Sequence, residues 1–137
     1  MALASAASAY ARIGLETGVI AASPQRLVVM LYDGALGAIA DARAHHKAGR
    51  TAPKCRSVGR AIAIVGEGLR ASLDLQRGGA IARQLADLYI YIEQRLFAAN
   101  LGDNPAMLDE ATALLSDLRG AWAALAENGP LSPGQRR

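Results

Sequence analysis

Ser23-Pro24-Gln25-Arg26-Leu27-Val28-Val29-Met30-Leu31-Tyr32-Asp33-Gly34-Ala35-Leu36 is the stretch whose reading decides the fold class. Ser-Pro marks a helix start: the Ser23 oxygen can cap orphan amides, and Pro24 suits the first helical position, where a missing N–H costs nothing. Leu27, Val28, Leu31 and Ala35 then form one stripe at spacings of one, three and four, enough to face a core. Met30, Tyr32, Leu36 and Ile39 lie largely outside that stripe, so a second face is apolar as well. Such a helix is either buried on most sides or holds surface for something else to cover. That alternative governs the functional reading.

The same helical pattern repeats downstream. Helix one runs from about Pro24 to Ala48, with His45, His46 and Lys47 suiting the dipole of its last turn and Gly49 a left-handed cap. Thr51 is the expected cap of a second helix, with Pro53 in its first turn and Val58, Ile62, Val65, Leu69 and Leu73 as its seam. Gly59, Gly66 and Gly68 weaken that helix by roughly 1 kcal/mol each relative to Ala, permitting close helix approach or marking a plastic segment. Gly78-Gly79 breaks the pattern before a third helix, about Ala80 to Asn100, seamed by Ile81, Leu85, Leu88, Ile92 and Leu96. Its Tyr89, Ile90, Tyr91 and Phe97 spread onto neighbouring faces. Asn104-Pro105 opens a fourth helix with Leu108, Ala111, Leu115, Leu118, Trp122 and Leu125 in register. Short breaks make neighbouring helices antiparallel, which predicts an all-α, up-down-up-down four-helix bundle about 35 Å long over residues 23–127. Residues 1–22 are read as a mobile or weakly helical N-terminal segment and residues 128–137 as a disordered tail.

Composition narrows the function. The 137 residues are 52% hydrophobic but only 4% aromatic, and 15 basic against 12 acidic side chains give a net charge of +3. The basic residues are spread along the chain, which argues against nucleic acid as partner. Cys55 is the one cysteine, so no internal disulfide forms. The N-terminus lacks an early positive cluster, and no apolar run approaches the roughly 18 residues of a membrane span. The expectation is a cytoplasmic protein with no membrane insertion.

Chemistry-bearing patterns are missing. Glu67, Glu93 and Glu110 precede no histidine at the Glu-x-x-His spacing of a di-iron bundle, and His45 and His46 point about 100° apart. Ser23, Ser57 and Ser72 sit in no nucleophile elbow, Cys55 has no base placed nearby in sequence, and Gly78-Gly79 is not a phosphate loop. No catalytic residue, metal site or cofactor is expected. The surplus apolar side chains favour a groove that receives another chain, in which Met adapts in shape and Tyr offers ring area with a polar tip. A helical adaptor for a folded partner, or a homodimerising regulatory protein, are the competing readings.

Ala9-Tyr10, Ala22-Ser23-Pro24, Leu31-Tyr32-Asp33-Gly34-Ala35-Leu36, Leu69-Arg70-Ala71-Ser72-Leu73-Asp74, Gly78-Gly79, Leu85-Ala86-Asp87-Leu88-Tyr89-Ile90-Tyr91, Arg95-Leu96, Ala99-Asn100 and Leu118-Arg119-Gly120-Ala121-Trp122 together resemble the flagellin export chaperone family (FliS). The resemblance implies a cytoplasmic chaperone of flagellar type III secretion. Such a protein binds the disordered C-terminal region of flagellin, keeps it from polymerising and helps deliver it to the export gate. It also implies that the chaperone's own N-terminal segment, with Tyr10, covers part of the site beforehand. The client-binding residues expected on this basis and from the surplus apolarity are Tyr10, Met30, Leu31, Tyr32, Leu36, Ile39, Leu88, Tyr89, Ile90 and Phe97. The export gate and other flagellar regulators are further expected partners, and the expected state is a monomer or weak homodimer. Gly37-Ala38 and Ile90 depart from the residues usual in the family, which bears on groove shape and client choice.

Overall fold

The computed structural model describes residues 23–102 and 104–128. They form four helices and, among the described residues, no strand: α1 (Pro24–Lys47), α2 (Thr51–Ala63) running on into a π-helical segment (Ile64–Arg70), α3 (Leu75–Gly102) and α4 (Pro105–Asn128). Asn128, assigned to the tail from the sequence, is the last residue of α4. The expected N-terminal segment, 1–22, and the rest of the tail, 129–137, lie outside the described residues.

Helix α1 begins as its sequence dictates. Ser23 is extended (φ −69°, ψ 163°), and its Oγ accepts a hydrogen bond from the Arg26 amide at 3.1 Å. At the other end Gly49 turns left-handed (φ 74°). The Gly49 amide donates to the His46 carbonyl at 3.1 Å and the Arg50 amide to the His45 carbonyl at 2.9 Å, the paired bonds of a Schellman cap. That turn corrects the expected start of the second helix. The Arg50 carbonyl already accepts from the Lys54 amide, so Arg50 occupies the cap position without a side-chain bond and Thr51 is the first helical residue.

Of the two roles anticipated for the glycines of the second helix, close helix approach is seen at Gly68, whereas Gly59 has open space beside it. The chain winds into π geometry at Ile64, and the Ala71 amide reaches back to the Gly66 carbonyl at 3.1 Å. Gly68 lies against α1: a Cβ there would stand 2.9 Å from Leu31 Cδ2, nearer than side chains approach one another. Arg70 closes the segment with a two-pronged bond to Glu93 of α3, at 2.7 and 3.1 Å.

Helix α3 starts earlier than the glycine pair suggests. Asp74 caps an extra turn, its Oδ1 accepting from the Arg77 amide at 3.0 Å. Gly79 (φ 57°, ψ −134°) then breaks the helix in a conformation that side-chain-bearing residues avoid.

Helices α1 and α3 each pack against both α2 and α4, the square arrangement of an antiparallel bundle. Leu27, Leu31, Ile39, Val58, Ile64, Ile92, Leu96, Leu108 and Leu115 are fully enclosed. Two polar links tie the start of α2 to the end of α3: buried Lys54 donates to the Ala99 carbonyl at 3.3 Å, and Asn100 donates to the Cys55 carbonyl at 3.2 Å.

Candidate functional site

The seams of α3 and α4 are continuous in sequence but not in burial. In the half of the bundle towards the end of α3, Ile92, Leu96, Leu108, Ala111 and Leu115 are sealed. In the opposite half, Leu85, Leu88, Leu118 and Trp122 are only half-buried, Leu125 is 44% exposed and Ile81 70%. The rows that should meet stand apart there. Between them opens a hollow of about 390 Å³ lined by Ile81, Gln84, Leu85, Leu88, Leu118, Ala121, Trp122 and Leu125.

A second hollow, of about 360 Å³, shares Ile81, Leu85 and Trp122 with the first and extends to Pro24, Gln25 and Val28 of α1 and to Leu69 and Leu73 beyond α2. The two form one apolar groove around Trp122. Its walls are Leu, Ile, Val and Trp with few polar groups. One of those, Gln25 Oε1, is buried with no hydrogen-bond donor among the described residues. A buried acceptor of that kind is normally satisfied.

Beneath the groove the Tyr32 and Tyr89 hydroxyls, from diagonally opposed helices, hydrogen-bond to each other at 2.5 Å, with ring centroids 6.4 Å apart. Burial pushes both phenols above the ordinary tyrosine range; for Tyr32 the neighbouring Tyr89 adds to the rise and the Trp122 side chain opposes it. Both remain neutral at physiological pH.

On the closed side of the same α3–α4 interface, Tyr91 and Arg95 both donate to Glu110, at 2.5 and 2.6 Å. These bonds, that from Tyr91 first, hold the Glu110 carboxyl below its usual range. Near the open side, Arg119 of α4 donates to Asp33 of α1 at 2.5 Å.

The residues expected at a client surface are not gathered into one site. Leu31, Tyr32 and Ile39 have no exposed surface and Tyr89 only 1%, so they are core and framework. Leu88 lines the groove, and Tyr89 contributes an edge. Met30 and Leu36 are half-buried against the core, while Ile90 (40% exposed) and Phe97 (57%) stand on the outer face of α3. Tyr10 lies outside the described residues. Conversely Ile81, Leu85, Leu118, Trp122 and Leu125, read from sequence as seam, form the walls. A groove wall and a core seam have the same spacing of threes and fours, so periodicity cannot separate them. The one local signal was Gly78-Gly79, which delays the entry of α3 into the bundle.

Among the described residues no group of three or more His, Cys, Asp or Glu side chains is placed to hold a metal ion, and no helix is long and apolar enough to cross a membrane. Fold and groove define a class: an all-α bundle that presents an apolar cleft. The sequence model of the family described as "Flagellar protein FliS" matches residues 6–129. The flagellar secretion chaperone FliS of Salmonella typhimurium is 40% identical over 119 residues, covering 87% of this chain and 88% of the relative. That of Escherichia coli is 39% identical, covering 83% and 84%. The FliSB chaperone of Pseudomonas aeruginosa is 38% identical, covering 82% and 89%. The chain belongs to the FliS family of flagellar secretion chaperones.

Proposed function

We propose that this protein is a cytoplasmic export chaperone that holds the disordered C-terminal region of flagellin in the groove around Trp122, preventing premature polymerisation and keeping the client competent for export. The observation that carries this reading is the failure of the α3 and α4 seams to close, which leaves Ile81, Leu85, Leu88, Leu118, Trp122 and Leu125 as an uncovered apolar trough. An amphipathic client segment supplies the missing row of side chains. Burying apolar surface at about 25 cal/mol per Å² works against an ordering cost of roughly 2–5 kcal/mol or more for coupled folding. Ile90 and Phe97 form a second, outer strip for a client that continues around α3, whereas Leu31, Tyr32, Ile39 and Tyr89 hold the helices in place.

Residues 1–22, with Tyr10, are the proposed cover of the empty groove. Pro24, the first residue of α1, itself lines the second hollow, so the point at which residues 1–22 join the bundle is at the groove's rim. Tethered there, it competes at an effective concentration on the order of millimolar.

Trp122 is the only tryptophan and reports directly on occupancy. Titrating the protein with a peptide of the C-terminal region of the flagellin from the same source is expected to shift tryptophan emission to the blue and to bind with a negative heat-capacity change. Leu85→Asp, with helicity retained, is expected to weaken binding at least about tenfold, roughly 1.4 kcal/mol. Unchanged emission and affinity would remove the groove from the function.

A further inference from the structure

The basic charge of this chain is not spread evenly once it is placed on the fold. Residues 41–60, the last turns of α1 and the first of α2, hold six of the 15 Lys and Arg and one acidic residue, Asp41. That gives this stretch a formal charge of +5, and the remaining nine basic against eleven acidic residues leave −2 for the rest of the chain, which includes Asp109 of α4 at the same corner. The sequence-wide impression of scattered basic residues does not hold here.

Much of that charge is unspent. Arg43 pairs with Asp109, and Lys54 is buried against the Ala99 carbonyl. Arg50 donates to the His45 ring at 3.1 Å, which does not neutralise it. Lys47, Arg56 and Arg60 are exposed and pair with no carboxylate among the described residues. The acids of the adjoining α4 turns are committed, Asp109 to Arg43 and Glu110 to Arg95 and Tyr91. Beside Lys47, a hollow of about 570 Å³ opens where the last turns of α1 meet the start of α4.

We propose that this corner docks an acidic, extended segment of a partner protein, at the opposite end of the bundle from the client groove. The choice of occupant follows from the shape and composition of the patch. Lys47 and Arg50 sit at the end of the bundle, and Arg56 and Arg60, one turn apart on the exposed face of α2, carry the charge about 15 Å along its flank. A patch that turns from an end to a flank suits a polypeptide that bends with it better than a flat lipid surface. Single-stranded nucleic acid, the other flexible polyanion, binds on aromatic stacking platforms, and residues 41–60 contain no Phe, Tyr or Trp. Lys47 lies about 35 Å along α1 from Pro24 at the groove's rim, and Arg60 about 13 Å along the second helix from Leu69, so an acidic partner and an apolar client can be held together without sharing residues.

The test uses the full chain and a labelled, unstructured peptide of about twelve residues alternating Glu with Gly or Ser, followed by fluorescence anisotropy against the Gln counterpart. The Glu peptide is expected to bind at least about tenfold tighter than the Gln peptide, and to lose that advantage as salt rises from about 0.05 to 0.5 M, where the screening length shrinks severalfold. Lys47→Gln/Arg56→Gln/Arg60→Gln is expected to weaken Glu-peptide binding about tenfold with unchanged helicity and unchanged client affinity. Arg77→Gln/Arg83→Gln, at the other end, is expected to leave both unchanged. Equal binding by wild type and the corner variant, or an equal loss in the Arg77/Arg83 variant, would overturn the proposal. So would tighter, corner-dependent binding to vesicles containing phosphatidylglycerol or to an oligothymidylate of matching length.

Discussion

Two halves of the same pair of helices meet different fates. Towards the end of α3, Ile92 and Leu96 belong with Leu108 and Leu115 to one sealed core, none of them more than 1% exposed. Towards its start, Ile81, Leu85 and Leu88 face Leu118, Trp122 and Leu125 across an open hollow. The spacing is the same in both halves. What differs is geometry: Gly79 bends α3 before Ile81, whereas Tyr91 and Arg95 clamp α3 onto Glu110 of α4 further down. An apolar row therefore states that contact is needed without stating which chain supplies it.

Truncation separates the halves most sharply. Leu96→Ala deletes an enclosed side chain and should cost about 2–5 kcal/mol in urea unfolding. Ile81→Ala, at a position 70% exposed, should cost less than about 1 kcal/mol while lowering client affinity. Equal stability losses would mean that the half towards the start of α3 is closed core, and the comparison would fail.

This contrast also marks what the sequence could reveal. The ends of α1 were legible because Ser23, Pro24 and Gly49 act within one turn of themselves. Burial was not, because it depends on partners far away in the chain. Tyr32 and Tyr89 look like surface residues from their polar tips. They are core because each hydroxyl satisfies the other across the bundle, a pairing no local window contains. The walls of the groove were named as residues but assigned to the seam, since only the separation of α3 from α4 distinguishes the two. The cap at Arg50 was missed by one residue because the Schellman turn hands its carbonyl directly to α2.

The tyrosine pair lies under the open half and gives a second way to probe it. Both phenols have folded-state pKa values raised above their ordinary range by burial. Their contribution is therefore fully present below the unfolded pKa of about 10 and is lost as pH rises above it, because only the unfolded chain can then release the protons. The unfolding free energy should fall with a slope approaching about 1.4 kcal/mol per pH unit for each buried tyrosine. Tyr32→Phe should cost about 1–2 kcal/mol at neutral pH, by leaving the Tyr89 hydroxyl without its partner, and should make the alkaline slope shallower. An unchanged slope would show that the pair is hydrated from the groove side.

The smallest effect is expected at the Arg119–Asp33 pair, which links α4 to α1 in the open half. Its bond is short, and the guanidinium is held above its usual range by hydrogen bonding to Asp33, yet the side chains are 36% and 48% exposed. Water and salt screen a pair in that setting, and exposed ion pairs contribute up to about 1 kcal/mol. Arg119→Gln should therefore lower stability by less than about 1 kcal/mol, and by less again in about 0.5 M salt. If the loss were several times larger and insensitive to salt, α4 would be held on α1 there by the ion pair and not by the packing of Leu118 and Trp122. The open half would then be a hinge of polar contacts, and client binding would be expected to depend on ionic strength as well as on apolar area.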